Sequence, residues 1–174
     1  MLFQRQSPLH RKGQQGYSLA ELPAGMIFLF VGVAIPLIIL ASVTYRATLL
    51  YFAVRDSCIR AAKAPTWSEG VLRGTNAFNK TVSTFTEISG TPQIRILIKP
   101  INGSPSSTVS GPLARSSIDP SNNLYFITES VNGTVSPLIA MGRYFGLQIP
   151  GLTAPFGLRL RFEALVENTD GLTE

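Results

Sequence analysis

Few residues of this 174-residue chain are placed to do chemistry, and the most pointed of them is Glu21, a carboxylate at the head of an uncharged run. From Leu22 to Tyr45, over 24 residues, there is no lysine, arginine, aspartate or glutamate. Just ahead stands Gly16-Tyr17-Ser18-Leu19-Ala20, the end of a leader (Met1 to Gly16) and its sequel. The leader carries Arg5, Arg11 and Lys12 and no acid. An acid at such a boundary has two physical uses. Solvated among headgroups, it suits the positive end of a helix dipole, worth about 0.3–1 kcal/mol. Drawn into lipid, it is costly unless it meets a cation, and so becomes selective for a partner.

The other reactive side chains point away from catalysis. His10 is the sole histidine and falls in the leader, so the rest of the chain has no Ser-His-Asp or Cys-His site. Zinc would need clustered Cys or His, and Asp119, Glu129, Glu163, Glu167 and Asp170 lack calcium-loop spacing. No glycine loop has the phosphate-cradling pattern. The sequence predicts a protein that is not an enzyme and uses no cofactor and no metal. Cys58 stands alone, which rules out an intramolecular disulfide; it reads as a small core residue on a helix. Net charge is +5, but after the leader 12 basic residues face 10 acidic ones. No basic run is interleaved with aromatics, so nucleic acid is not an expected partner.

The elements that position these residues follow from pattern. At about 1.5 Å per residue the uncharged run spans roughly 36 Å, enough for a bilayer core of about 30 Å. It exceeds the roughly 7–15 apolar residues of a cleaved signal peptide and so predicts a membrane anchor that stays with the protein. The basic leader places the amino terminus in the cytoplasm and the remainder outside, because a long domain translocates despite Arg46, Arg55 and Arg60. Pro23 falls in the first turns of the span, and Pro36 predicts a bend within it. Beyond Tyr45 the helix is expected to continue to Ala64 and to end at Pro65. Thr66-Trp67-Ser68-Glu69 reads as a capping box opening a second helix, Trp67 to about Phe85, with Val71, Leu72, Thr75, Phe78, Val82 and Phe85 near one face. Strands are predicted over Gln93–Lys99, Asn123–Glu129 and Leu158–Val166, the last with Arg159, Arg161, Glu163 and Glu167 on a solvated side. Asn102 to Asn123 reads as a long loop and Asn132-Gly133 as a tight turn. The fold class expected is α+β: a long N-terminal transmembrane helix continuing into an exported helix, a second helix and a small antiparallel β-sheet. The divisions are 1–16 (leader), 17–64 (helix) and 65–174 (exported domain).

Glycine, four residues and a glutamate at the head of an apolar helix resemble the processing site of type IV prepilins. With Arg60-Ala61-Ala62-Lys63-Ala64, Ser136-Pro137-Leu138 and Ile149-Pro150-Gly151-Leu152-Thr153-Ala154-Pro155 leading into the last strand, most of the chain resembles the TadE-like family. These are minor pseudopilins of tight-adherence (Flp) pilus systems. Two positions depart from the family pattern, Leu22 in place of an aromatic and the early Pro23. The resemblance implies cleavage by a prepilin peptidase between Gly16 and Tyr17, after which Glu21 assists assembly by pairing with a neighbour's amino terminus. It also implies a single-pass protein of the bacterial inner membrane with a periplasmic domain. Its partners would be membrane lipid, other pilin-like subunits and the tight-adherence secretion machinery, with an extracellular filament and cell adhesion as outcomes of the system. Two other readings compete: an uncleaved, signal-anchored periplasmic binding or adaptor module, and a pseudopilin of a type II secretion or competence system.

Overall fold

The computed structural model describes residues 15–85, 87–139, 146 and 148–174, with the backbone alone over 15–21. The chain forms two compact units divided between Ile38 and Ile39. The first is helical. Helix α1 (Gln15–Leu29) passes through a wider π turn (Phe30–Ala34) into α2 (Ile35–Ala62), whose first residues belong to this unit. The widened turn answers Pro36, which offers no N–H to the carbonyl of Gly32 and crowds it; a π turn relieves both by shifting the bonding ladder. This is the form taken by the irregularity expected at Pro36. Pro23 lies inside α1, in its third turn.

The second unit, Ile39–Glu174, is α+β. The remainder of α2 and helix α3 (Trp67–Thr84) cover one face of a four-stranded antiparallel sheet. Its strands are β1 (Ile88–Pro100), β2 (Ser107–Val109), β3 (Asn123–Val135) and β4 (Phe156–Leu165), in the order β2-β1-β3-β4. Helix α3 begins where the capping residue predicts, with the Glu69 N–H donating to Thr66 Oγ1 at 3.4 Å. Only half of the capping box forms, because the Glu69 carboxylate pairs with Arg73 one turn on. The buried stripe is Trp67, Gly70, Gly74 and Phe78, whereas Leu72, expected near the core face, is 59% exposed. Gly74 costs helix propensity but permits close packing: a Cβ there would lie 3.2 Å from both the Ala61 Cβ and the Ser57 carbonyl oxygen on α2.

The strands expected at 93–99 and 123–129 are both longer, and pair from Ile88↔Val135 to Pro100↔Asn123. This overturns the hairpin turn expected at Asn132-Gly133, which instead lies inside β3 opposite Thr91 and Gly90. The physical reason is close approach. A Cβ on Gly133 would sit 2.6 Å from Leu50 Cδ2 and 2.9 Å from the Ser89 carbonyl oxygen. The segment Asn102–Asn123 is less loop-like than its composition predicts. It contains β2 and a short 3₁₀ turn (Arg115–Ser117), and the Leu113 N–H donates to the Leu172 carbonyl at 2.8 Å. The Asn122 side chain donates to Asp119 at 2.7 Å and holds that carboxyl below its ordinary range. Strand β4 alternates as expected, but Glu163 is ion-paired with Lys99 (2.7 Å) and Arg161 (3.1 Å) rather than merely solvated.

The core has two apolar clusters. One gathers Cys58, Trp67, Ile96, Tyr125, Ile127 and Leu172; the other gathers Val43, Leu50, Val54, Phe78, Val131 and Val135. Phe162 packs against both.

Candidate functional site

The amino-terminal helix holds the residues singled out by sequence. The backbones of Gly16, Tyr17 and Glu21 are all helical within α1, so the Gly16–Tyr17 peptide bond and Glu21 share one rigid element. Tyr17 and Glu21 are four residues apart, about one turn or 6 Å of rise. Leader residues 1–14, including Arg5, His10, Arg11 and Lys12, lie outside the described residues.

From Leu22 to Ile38 no residue is buried, and the apolar side chains are exposed all round, Phe28 to 76%. A helix apolar on every side has no stable place in water; it belongs in a protein core or in lipid. The helix Leu22–Ala62 is long and apolar enough to cross a membrane. Its apolar character does not all serve one purpose. Ile39 and Val43 are buried, Val43 within the second core cluster, and Arg46 donates to the Ser136 carbonyl. The sequence reads one span up to Tyr45, but over 39–45 one side of the helix, Ile39 and Val43, is buried in the second unit, while Leu40, Ala41, Thr44 and Tyr45 stay exposed. The unpacked part, Leu22–Ile38, is 17 residues or about 25 Å, near the lower limit for a crossing helix.

Two segments that carry the family resemblance meet α2 in this region. Ser136 accepts the bond from Arg46, and Gly151 (φ 79°) turns the Ile149–Ala154 loop close to Val43. The Gly151 N–H donates to the Ala154 carbonyl at 2.9 Å, closing that loop.

A second chemical anomaly was not legible as a site in the sequence. Glu129 on β3 is fully buried (0% exposed), and among the described residues neither carboxyl oxygen has a hydrogen-bond partner. Its strand neighbours are Ile94 and Phe162, both apolar. The neighbouring Ser57 hydroxyl is committed elsewhere, donating to the Gly74 carbonyl at 2.8 Å. Glu129 and Ser57 thus occupy the seam between the two apolar clusters. Burial pushes the Glu129 carboxyl up to about 7. Cys58, beside it on α2, is also fully buried, its Sγ 3.3 Å from the Ile127 carbonyl oxygen. Burial, reinforced by Glu129, raises its thiol to about 12, so Cys58 stays protonated and unreactive. One signal was available: Tyr125, Ile127, Val131 and Val135 fall on one face of β3, and Glu129 holds a slot of that same alternation.

Among the described residues no group of three or more His, Cys, Asp or Glu is arranged to hold a metal ion. Sealed from solvent, Glu129 can store a proton but cannot reach an external substrate. Compared with known protein families, curated proteins and solved structures, the chain matches none.

Proposed function

We propose that the chain is a membrane-anchored, pseudopilin-like subunit of a tight-adherence (Flp) type IV pilus, trimmed by a prepilin peptidase after Gly16. It acts by assembly and not by catalysis. The observation that carries this reading is the position of Ile38. Because packing of the second unit begins at Ile39, a crossing helix of the usual length, about 20 residues, that ends at Ile38 would begin near Leu19. That register draws Glu21 just inside the hydrocarbon, where an unpaired carboxylate is costly and a neighbour's new α-amino group at Tyr17 is a fitting partner. The basic leader supports a cytoplasmic amino terminus in the bacterial inner membrane, with the α+β domain in the periplasm. TadE-like character rests on the sequence resemblance alone.

Mass spectrometry of the membrane-extracted chain, with and without Gly16→Ala, tests the reading. A terminus at Tyr17 that vanishes in the variant is the expected result. An intact leader in cells with an active peptidase would leave an uncleaved, signal-anchored adaptor module instead.

A further inference from the structure

Helices α2 and α3 run antiparallel, since Ala61 meets Gly70 and Ser57 meets Gly74. Away from the sheet, their flanks bound an open groove of about 910 Å³. Its α2 wall presents Asp56, Arg60 and Lys63 at spacings of four and three, which place them on one stripe; Arg73, Ala77 and Lys80 repeat that spacing on α3. Four cations therefore face one acid. Arg60 and Arg73 have exposed intrahelical pairs with Asp56 and Glu69, while Lys63 and Lys80 have no ion pair among the described residues.

The complement of this groove lies on the same chain. After Arg161 there is no lysine or arginine, and Glu167, Asp170 and Glu174 are all exposed. The backbone that carries them is held firmly. Leu172 is buried, the Trp67 N–H donates to the Thr173 carbonyl at 2.9 Å, and Asn168 Oδ1 accepts from the Asp170 N–H at 3.0 Å. Among the described residues, Asp170 alone of these acids has a cation partner, the highly exposed Arg115 at 3.3 Å. Within one chain, no ion pair joins them to the groove's cations among the described residues.

We propose that the groove between α2 and α3 receives the acidic 167–174 segment of a second copy of this chain. Where one copy's segment enters a neighbour's groove without a reciprocal exchange, the contact is heterologous and each copy that docks leaves another groove and another acidic segment free. That one-way geometry extends an assembly, whereas reciprocal docking of two copies would close a dimer. Exposed ion pairs are individually weak and screened by salt. Anchoring both copies in one membrane raises their effective concentration, which lets a weak contact order them. The proposal rests on the reading of the chain as an anchored assembly subunit and supplies that reading with a contact outside the membrane.

The test uses full-length chains co-expressed in membranes, one copy carrying Thr81→Cys in the groove and the other Thr169→Cys beside the acids. Mild oxidation should yield the disulfide-linked heterodimer. Lys63→Glu with Lys80→Glu in the first copy should lower that yield about tenfold, and Glu167→Lys with Glu174→Lys in the second should restore at least about half of it. Equal yields in all four combinations would overturn the proposal. So would a loss that the charge swap fails to recover, which would assign the groove to another anion such as lipid phosphate or a different acidic chain. Continued resistance of Cys58 to alkylation verifies that each variant is folded. The amino-terminal mass, read on the same samples, reports Gly16 processing independently, so failure of the contact and failure of the prepilin reading are distinguishable.

Discussion

The Ser57 hydroxyl donates to the Gly74 carbonyl at 2.8 Å, tying α2 to α3 at the point where Glu129 comes up from the sheet. That bond uses the Ser57 hydroxyl proton, and among the described residues neither Glu129 oxygen has a hydrogen-bond partner. The helix pair is thereby joined at the expense of the acid beneath it.

Stability should therefore depend on pH through Glu129. Its folded pKa of about 7 lies above its ordinary 4.5, so between those values the folded chain holds a proton that the unfolded chain releases. Stability from this group is greatest below pH 4.5, falls as pH rises towards 7 and levels off above it, by about 3 kcal/mol in all. Glu129→Met should raise stability at pH 8 by about 1–3 kcal/mol and flatten the slope. Urea unfolding of the full chain in detergent at pH 5 and pH 8 measures both effects. A variant less stable than wild type at pH 8 would show that the carboxylate has a partner there.

Gly133→Ala should destabilise the domain by about 1–3 kcal/mol, because the new methyl meets Leu50 on one side and the Ser89 backbone on the other. Asn132→Ala, at an exposed neighbour, should change stability by less than about 0.5 kcal/mol. Thermal unfolding of the two variants separates a packed strand from a tight turn, where Asn132 would matter too.

The membrane register is open to labelling. Tyr45→Cys should react with a membrane-impermeant maleimide in intact membranes, whereas Val31→Cys should react only after detergent is added. The seven residues from Ile38 to Tyr45 rise about 10 Å, enough to carry that side chain out of the hydrocarbon. Buried Cys58 should stay unlabelled in both. Protection of Tyr45→Cys would return the span to the full uncharged run.

Thr66→Ala should cost about 0.5–1 kcal/mol, the low end for a lost cap, since the bond from the Glu69 N–H is long at 3.4 Å. Glu69→Ala should cost only a few tenths through its exposed pair with Arg73. Chemical denaturation of the two variants ranks them. A larger loss for Glu69→Ala would mean that the carboxylate also reaches back to the cap.

Local chemistry determined much of this protein from the sequence alone. Twenty-four uncharged, mostly apolar residues are enough to predict a long apolar helix, Pro65 and Thr66 punctuate the chain through their own backbone bonding, and isoleucines in alternation make a half-buried strand. These are short-range effects, and the α+β class follows from them. What depended on distant partners was decided only by the tertiary structure. Leu50, 83 residues away in sequence, makes Gly133 a packing glycine and not a turn glycine. Val43 joins the domain's core, in one cluster with Val131 and Val135 and beside Gly151, which moves the free end of the apolar helix to Ile38. Glu129 holds an inward slot of the β3 alternation, but that this slot is sealed from water between two apolar clusters was decided by packing with distant elements.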